Sequence, residues 1–159
     1  MQIYILRHAI AEEGRPGQSD SSRRLTPEGK QKLERILGCA WRAGVRPDVV
    51  VSSPYKRAME TAMAAREALQ VTSSIIQSTA LTPMEPAEGV WEEIRAHQDA
   101  EQVMVVGHEP QLSSVVGHLA GGRVEMKKGA MARVDVETLG PRPQGTLVWL
   151  LTAKVAGAA

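Results

Sequence analysis

Two histidines and two arginines share a setting in this chain: each ends, or stands just beyond, a short apolar run. Arg7 and His8 close Gln2-Ile3-Tyr4-Ile5-Leu6. Arg57 follows Asp48-Val49-Val50-Val51-Ser52-Ser53, and His108 follows Gln102-Val103-Met104-Val105-Val106-Gly107. Together these residue types suit phosphoryl chemistry. The planar arginine fork holds phosphate oxygens bidentately and neutralises charge as it spreads over a transferring group. A histidine held among cations has its imidazolium disfavoured, so the neutral, nucleophilic ring dominates. Attack on phosphorus then gives a phosphohistidine, and covalent catalysis divides one hard step into two. The second histidine can donate to an equatorial oxygen or help to move protons.

Zinc is the competing use for two histidines. No third ligand is evident, and a neighbouring arginine repels a cation, so neither metal nor cofactor is expected. A single polar residue can end a strand for no functional reason. Three buried strands ending this way would require three coincidences.

The elements that must position these residues follow from patterning. Apolar runs without polar alternation, rich in β-branched residues, predict strands buried on both faces, as in a parallel sheet. Open α/β sheets bind ligands beyond the carboxyl ends of such strands, which is where Arg7-His8, Arg57 and His108 fall. Between the runs lie helical patterns. Thr26 as N-cap and Pro27 at the first position start a helix with Leu33, Ile36, Leu37, Ala40 and Trp41 on one face, stopped near Gly44. A second helix runs to about Leu69 on a thin face of Ala58, Ala62 and Ala65. Arg57 near its N-terminus opposes the helix dipole, a local cost that a bound anion would offset. A short strand is expected around Ile75-Ile76, a helix over Ala87 to His97, and another over Gln111 to Ala120. Residues Ala130 to Val136 alternate as an exposed strand does and pair with Thr146 to Leu151 in an antiparallel hairpin. Residues Val155 to Ala159 read as a frayed tail. The expectation is an α/β fold: a three-layer α/β/α sandwich whose mostly parallel central sheet carries an antiparallel C-terminal hairpin.

Composition bounds the rest. At 159 residues the chain fits a single domain over 1–159, and 43% hydrophobic with 23% charged residues is ordinary for a globular protein. A net charge of +1 gives no reason to expect nucleic-acid or membrane binding, so anion chemistry must come from local arginine clustering. Cys39 is the only cysteine, which excludes an internal disulfide or a thiolate cluster. No signal-peptide pattern and no segment of membrane-spanning length is present, so a cytoplasmic setting is expected. His97 and His118 read as structural or surface histidines. The long polar connection from Ala9 to Arg24, carrying Asp20, Arg23 and Arg24, is of a length more often functional than decorative.

The same residues carry a family resemblance. Leu6-Arg7-His8-Ala9 resembles the Arg-His-Gly signature of the histidine phosphatase superfamily (phosphoglycerate mutase-like fold), with Ala9 in place of the glycine. Ser52-Ser53-Pro54-Tyr55-Lys56-Arg57-Ala58 and Glu60-Thr61 resemble its second arginine motif, and Val106-Gly107-His108-Glu109-Pro110 its second histidine motif. Leu25-Thr26-Pro27-Glu28-Gly29 is similar to its first-helix start. Ser19-Asp20-Ser21-Ser22-Arg23-Arg24-Leu25-Thr26 matches the Ser-Asp-x-x-Arg-x-Leu-Thr stretch of the small SixA-type phosphohistidine phosphatase branch. The resemblance implies His8 as nucleophile, Arg7, Arg57 and His108 as the phosphate pocket, and Arg23 with Asp20 at its rim.

Mutase-like members that enclose a small sugar phosphate need cap segments, for which this length leaves little room. An open site suits a phosphorylated side chain presented by another protein. Glu85, Glu88, Glu109 and Asp20 are equal candidates for the proton donor. A phosphohistidine asks least of such a donor, because its imidazole departs neutral when its distal nitrogen already carries a proton. The expected activity is therefore a metal-independent phosphatase acting on a phosphohistidine-bearing protein through His8. The alternatives are a small phosphate ester as substrate, with phosphomonoesterase or mutase-like chemistry, or a catalytically silent phosphate-recognition module.

Overall fold

The computed structural model describes residues 1–157. Six strands form one sheet: β1 (Gln2–Arg7), β2 (Val49–Ser52), β3 (Ile76–Gln77), β4 (Gln102–Gly107), β5 (Met131–Thr138) and β6 (Gln144–Leu151). Their order is β3-β2-β4-β1-β5-β6; β1 to β4 are mutually parallel, and β5 runs antiparallel to both β1 and β6. Helices α1 (Pro27–Arg42), α2 (Lys56–Ala68), α3 (Ala87–Arg95) and α4 (Gln111–Ala120) cover the two faces.

Strand β1 shows why its sequence reads as a continuous apolar run. Ile3 and Ile5 pack on one face with Trp91, Leu112 and Val115 of α3 and α4, while Tyr4 and Leu6 pack on the other with Leu33, Ile36 and Ala58 of α1 and α2. A strand buried on both sides has no solvent face to mark with polar residues. The expected three-layer sandwich, with its antiparallel hairpin, is what the chain forms.

The start of α1 couples to the segment after His8. The Thr26 hydroxyl accepts from Gly29 N–H at 3.0 Å, and Thr26 N–H donates to the Ile10 carbonyl at 3.0 Å. A Cβ on Gly29 would stand 2.2 Å from that carbonyl, so only glycine permits the approach. Helix α2 packs through Ala58, Ala62 and Ala65, all fully buried, which brings its backbone close to the sheet.

Several local expectations are corrected. Helix α3 stops at Arg95, leaving His97 beyond its end, where it meets Glu93 at 3.3 Å. Met131 is buried, not exposed, because it packs into the apolar cluster that β1, α1 and α2 form on that face. Trp41 is only partly buried, with the Arg46 guanidinium stacked on its ring. Instead of fraying, the C-terminal segment forms α5 (Ala153–Ala156), whose Thr152 hydroxyl accepts from Val155 N–H at 3.3 Å. Residues 158–159, the rest of the expected tail, lie outside the described residues.

Candidate active site

Strand register brings the chemistry together. Arg7 lies opposite Gly107 in the β1–β4 pair, and Ser52 opposite Val106 in the β2–β4 pair. His8 and His108 therefore follow a directly opposed pair, and Ser53 comes level with Gly107, one residue before His108, at the same end of the sheet. Backbone bonds from His8 N–H to Gly107 carbonyl (3.0 Å) and from Ser53 N–H to Val106 carbonyl (2.9 Å) extend the pairing that far. The connection leaving β1 leads to α1 on one face, and that leaving β4 leads to α4 on the other. Adjacent strands whose connections diverge in this way open a crevice at their carboxyl ends.

A cavity of about 180 Å³ occupies this crevice. Arg7, His8, Arg23, Arg57, His108 and Glu109 line it, all of them candidates from the sequence, together with Lys128, which the sequence did not mark. His8, Arg57 and His108 are 6%, 4% and 2% exposed, so their polar groups are shielded from bulk water.

His8 is oriented through its own loop. Its Nδ1 lies 2.7 Å from the Ala9 carbonyl, which can only accept, so Nδ1 carries the proton and Nε2 keeps its lone pair. Arg57 Nε–H donates to that Nε2 at 3.4 Å. Burial pushes the His8 pKa down to about 4; the Ala9 bond opposes the shift, and Arg57, Arg7 and Lys128 add to it. The ring is thus neutral throughout the physiological range.

The arginines are held from behind. Arg57 donates to the Asp20 carbonyl at 2.8 Å and to the Asp20 carboxylate at 3.2 Å. Arg23 donates to the other Asp20 carboxylate oxygen at 2.9 Å and to the Glu12 carbonyl at 2.9 Å. Partial burial raises the Asp20 pKa, but Arg57 and Arg23 outweigh it and hold the carboxyl below its usual range. Asp20 therefore orients both guanidinium groups. Arg7 donates to the Met126 carbonyl at 2.8 Å, while its buried Nε finds no partner among the described residues.

The acidic candidates separate. Both Glu109 carboxylate oxygens accept from Ser113, through its backbone N–H and its hydroxyl. That hydroxyl in turn accepts from Met126 N–H at 3.2 Å, tying Glu109 to the peptide segment that holds Arg7. Glu85 and Glu88 are exposed and do not line the cavity.

Two further supports complete the site. Thr61, buried in α2, accepts from Ala9 N–H at 3.1 Å and donates to the Arg57 carbonyl at 2.7 Å, joining the two motifs. Gly129 N–H donates to the His8 carbonyl at 3.0 Å with φ near +75°, a conformation suited to glycine, and so brings Lys128 to the cavity wall. A hint for Lys128 lies in the Lys127-Lys128-Gly129 turn just before β5, next to β1 in the sheet.

Known proteins resemble this chain. The chain is 28% identical over 158 residues to phosphohistidine phosphatase SixA of Escherichia coli (strain K12), covering 96% of this chain and 94% of that protein. It is 30% identical over 126 residues to an uncharacterised protein of Picosynechococcus sp., covering 77% and 75% of the two. A solved structure of the protein histidine phosphatase SixA complexed with tungstate superposes with a TM-score of 0.88 at 26% identity, covering 97% of this chain and 98% of that one. The family model of the histidine phosphatase superfamily (branch 1) matches residues 3–85, from β1 through the second arginine motif. The chain therefore belongs to the histidine phosphatase superfamily, branch 1.

Proposed function

We propose that this phosphatase dephosphorylates a phosphohistidine borne by another protein, with His8 as the transient acceptor. The observation that carries the reading is the His8 tautomer. The Ala9 carbonyl holds the proton on Nδ1, so the Nε2 lone pair is left facing a cavity rimmed by three arginines and a lysine.

In the first step the Nε2 lone pair forms a bond to phosphorus. The bond from phosphorus to the substrate's imidazole nitrogen breaks, and its electron pair leaves with that imidazole. Arg7 and Arg57 hold the equatorial oxygens as charge spreads over them. Water then attacks the phosphoryl group on His8, releasing inorganic phosphate and restoring the free ring.

The protein substrate is favoured by the dimensions of the site. A cavity of about 180 Å³ suits a phosphoryl group and little more, whereas pockets that enclose small organic ligands run from roughly 300 Å³ upward. The remainder of the substrate then lies outside the cavity, as it does for a side chain presented from a folded surface. Likeness to SixA over almost the whole chain supports the same substrate class. Both oxygens of Glu109, the acidic candidate in the lining, are already engaged by Ser113, which suits a leaving imidazole better than a basic alkoxide. The proposal includes metal independence, a cytoplasmic setting and a single domain over residues 1–159.

The test compares turnover of a phosphohistidine protein with that of sugar phosphates and an aryl phosphate. The expected result is a kcat/KM highest for the phosphohistidine protein and unchanged by chelators. A strong preference for sugar phosphates would overturn the substrate assignment, and abolition of activity by chelators would overturn the metal-free mechanism.

A further inference from the structure

His108 has one ring nitrogen committed and one open. Its Nε2 lies 2.8 Å from the Ser53 hydroxyl, while its Nδ1 is buried without a partner among the described residues. Ser53 is fully buried and already accepts from Tyr55 N–H at 3.2 Å. Two arrangements of protons are available. If Nε2 carried the proton, Ser53 would accept twice and its own hydroxyl proton would have no acceptor among the described residues. The Nδ1 lone pair would then be the group offered to an incoming anion. If Ser53 instead donates to Nε2, its hydroxyl is satisfied in both roles and the ring proton sits on Nδ1. The Tyr55 ring stands edge-on to His108 at 5.2 Å between centroids and limits its rotation.

We propose that Ser53 is a positioning residue that fixes the His108 tautomer, so that His108 offers Nδ1–H as a neutral hydrogen-bond donor to the phosphoryl group. The inference rests on the phosphoryl cavity assigned above. A neutral donor has a use in this site. Arg7, Arg57 and Lys128 already supply positive charge around His8, and a further cation would hold the nucleophile's electrons more tightly. The sheet register supplies the geometry, since Ser53 follows Ser52, which pairs with Val106, and so stands level with Gly107, the residue before His108. The two histidines thus take the same tautomer by different means. The Ala9 carbonyl holds the proton on Nδ1 of His8, and the Ser53 hydroxyl drives it to Nδ1 of His108 by occupying Nε2.

The experiment is long-range proton–nitrogen correlation NMR on the full chain labelled at the histidine ring nitrogens, with and without inorganic phosphate, beside steady-state kinetics. In the wild type, His108 should be protonated at Nδ1 and bare at Nε2, with the Nδ1 resonance shifting when phosphate is added. In Ser53→Ala the ring should populate both tautomers. Its kcat should fall at least about tenfold and by no more than the roughly hundred- to thousandfold that follows complete loss of such a donor. A wild-type ring protonated at Nε2 overturns the proposal, and that spectrum requires no variant to fold. So does a Ser53→Ala ring that stays in the Nδ1–H form, or an unchanged kcat once the tautomer has altered. Failure of the reading on which this rests, His8 as the phosphoryl acceptor, would show separately, as turnover that survives loss of His8.

Discussion

Arg57 donates its Nε–H to His8 Nε2 across 3.4 Å, so a permanent cation rests against the lone pair proposed to attack phosphorus. The contact is long and easily exchanged for a phosphate oxygen. While it lasts it disfavours a proton on that nitrogen, and Asp20 on the far side of Arg57 fixes the direction of the guanidinium. Replacing Arg57 by lysine keeps the charge but loses the planar fork and the Asp20 contacts. The expected loss in kcat/KM is about a hundredfold or more. Asp20→Asn, at a half-exposed position, should cost less than about tenfold. Steady-state kinetics on the three proteins checks the order.

Acid should silence the enzyme later than an ordinary histidine would suggest. Burial depresses His8 to about 4 and His108 to about 3. The acid limb of kcat/KM is therefore expected near pH 4, not near 6.5. Stability follows the same groups. Below the unfolded value of about 6.5 the unfolded chain takes up protons that the native histidines refuse. The stability contributed by the neutral rings is thus fully present above that value and is lost as pH falls toward 4 and then 3. For His8 alone the loss is on the order of 3 kcal/mol. His8→Ala should flatten this part of the profile in chemical denaturation between pH 4 and 7, and an equally steep profile in the variant would contradict the assignment.

Gly29→Ala tests the support beneath His8. Its Cβ would fall 2.2 Å from the Ile10 carbonyl, so either the start of α1 or the segment following His8 must shift. The expected cost is roughly 1–3 kcal/mol in stability, with a fall in kcat larger than any change in KM. Thermal melting and kinetics together read both.

Lys128 should contribute through charge alone. It is exposed and lines the cavity without an ion-pair partner among the described residues, so Lys128→Ala is expected to weaken inorganic phosphate inhibition by roughly fivefold, about 1 kcal/mol. The difference should shrink as salt is raised. A salt-independent effect would point to a structural role.

The four central residues were legible in the sequence because buried strands are written as apolar runs, and whatever ends such a run stands at a sheet edge. Register did the rest: Arg7 opposite Gly107 makes His8 and His108 neighbours. Lys128 was not legible, because its turn reaches the cavity only through the antiparallel pairing of β5 with β1, a contact between segments with no shared local pattern. Ser53 and Thr61 fall within the stretches that carry the resemblance, but what they do emerges only when their hydroxyls are seen against His108 and Ala9. Among the acids, Glu85 and Glu88 were separated from Glu109 only by where the chain carries them. Helix α5 escaped notice because four residues hold too little periodicity to register, and its helical form rests on the Thr152 cap and packing against α1.

The most direct test of the mechanism is rapid acid-free quenching of the enzyme during turnover of a phosphohistidine protein, followed by intact mass and peptide mapping. A single phosphoryl group should appear on His8, stable to base and labile to acid, and His8→Ala should show neither that species nor turnover. A phosphoenzyme mapped to another residue, or full turnover by His8→Ala, would contradict it.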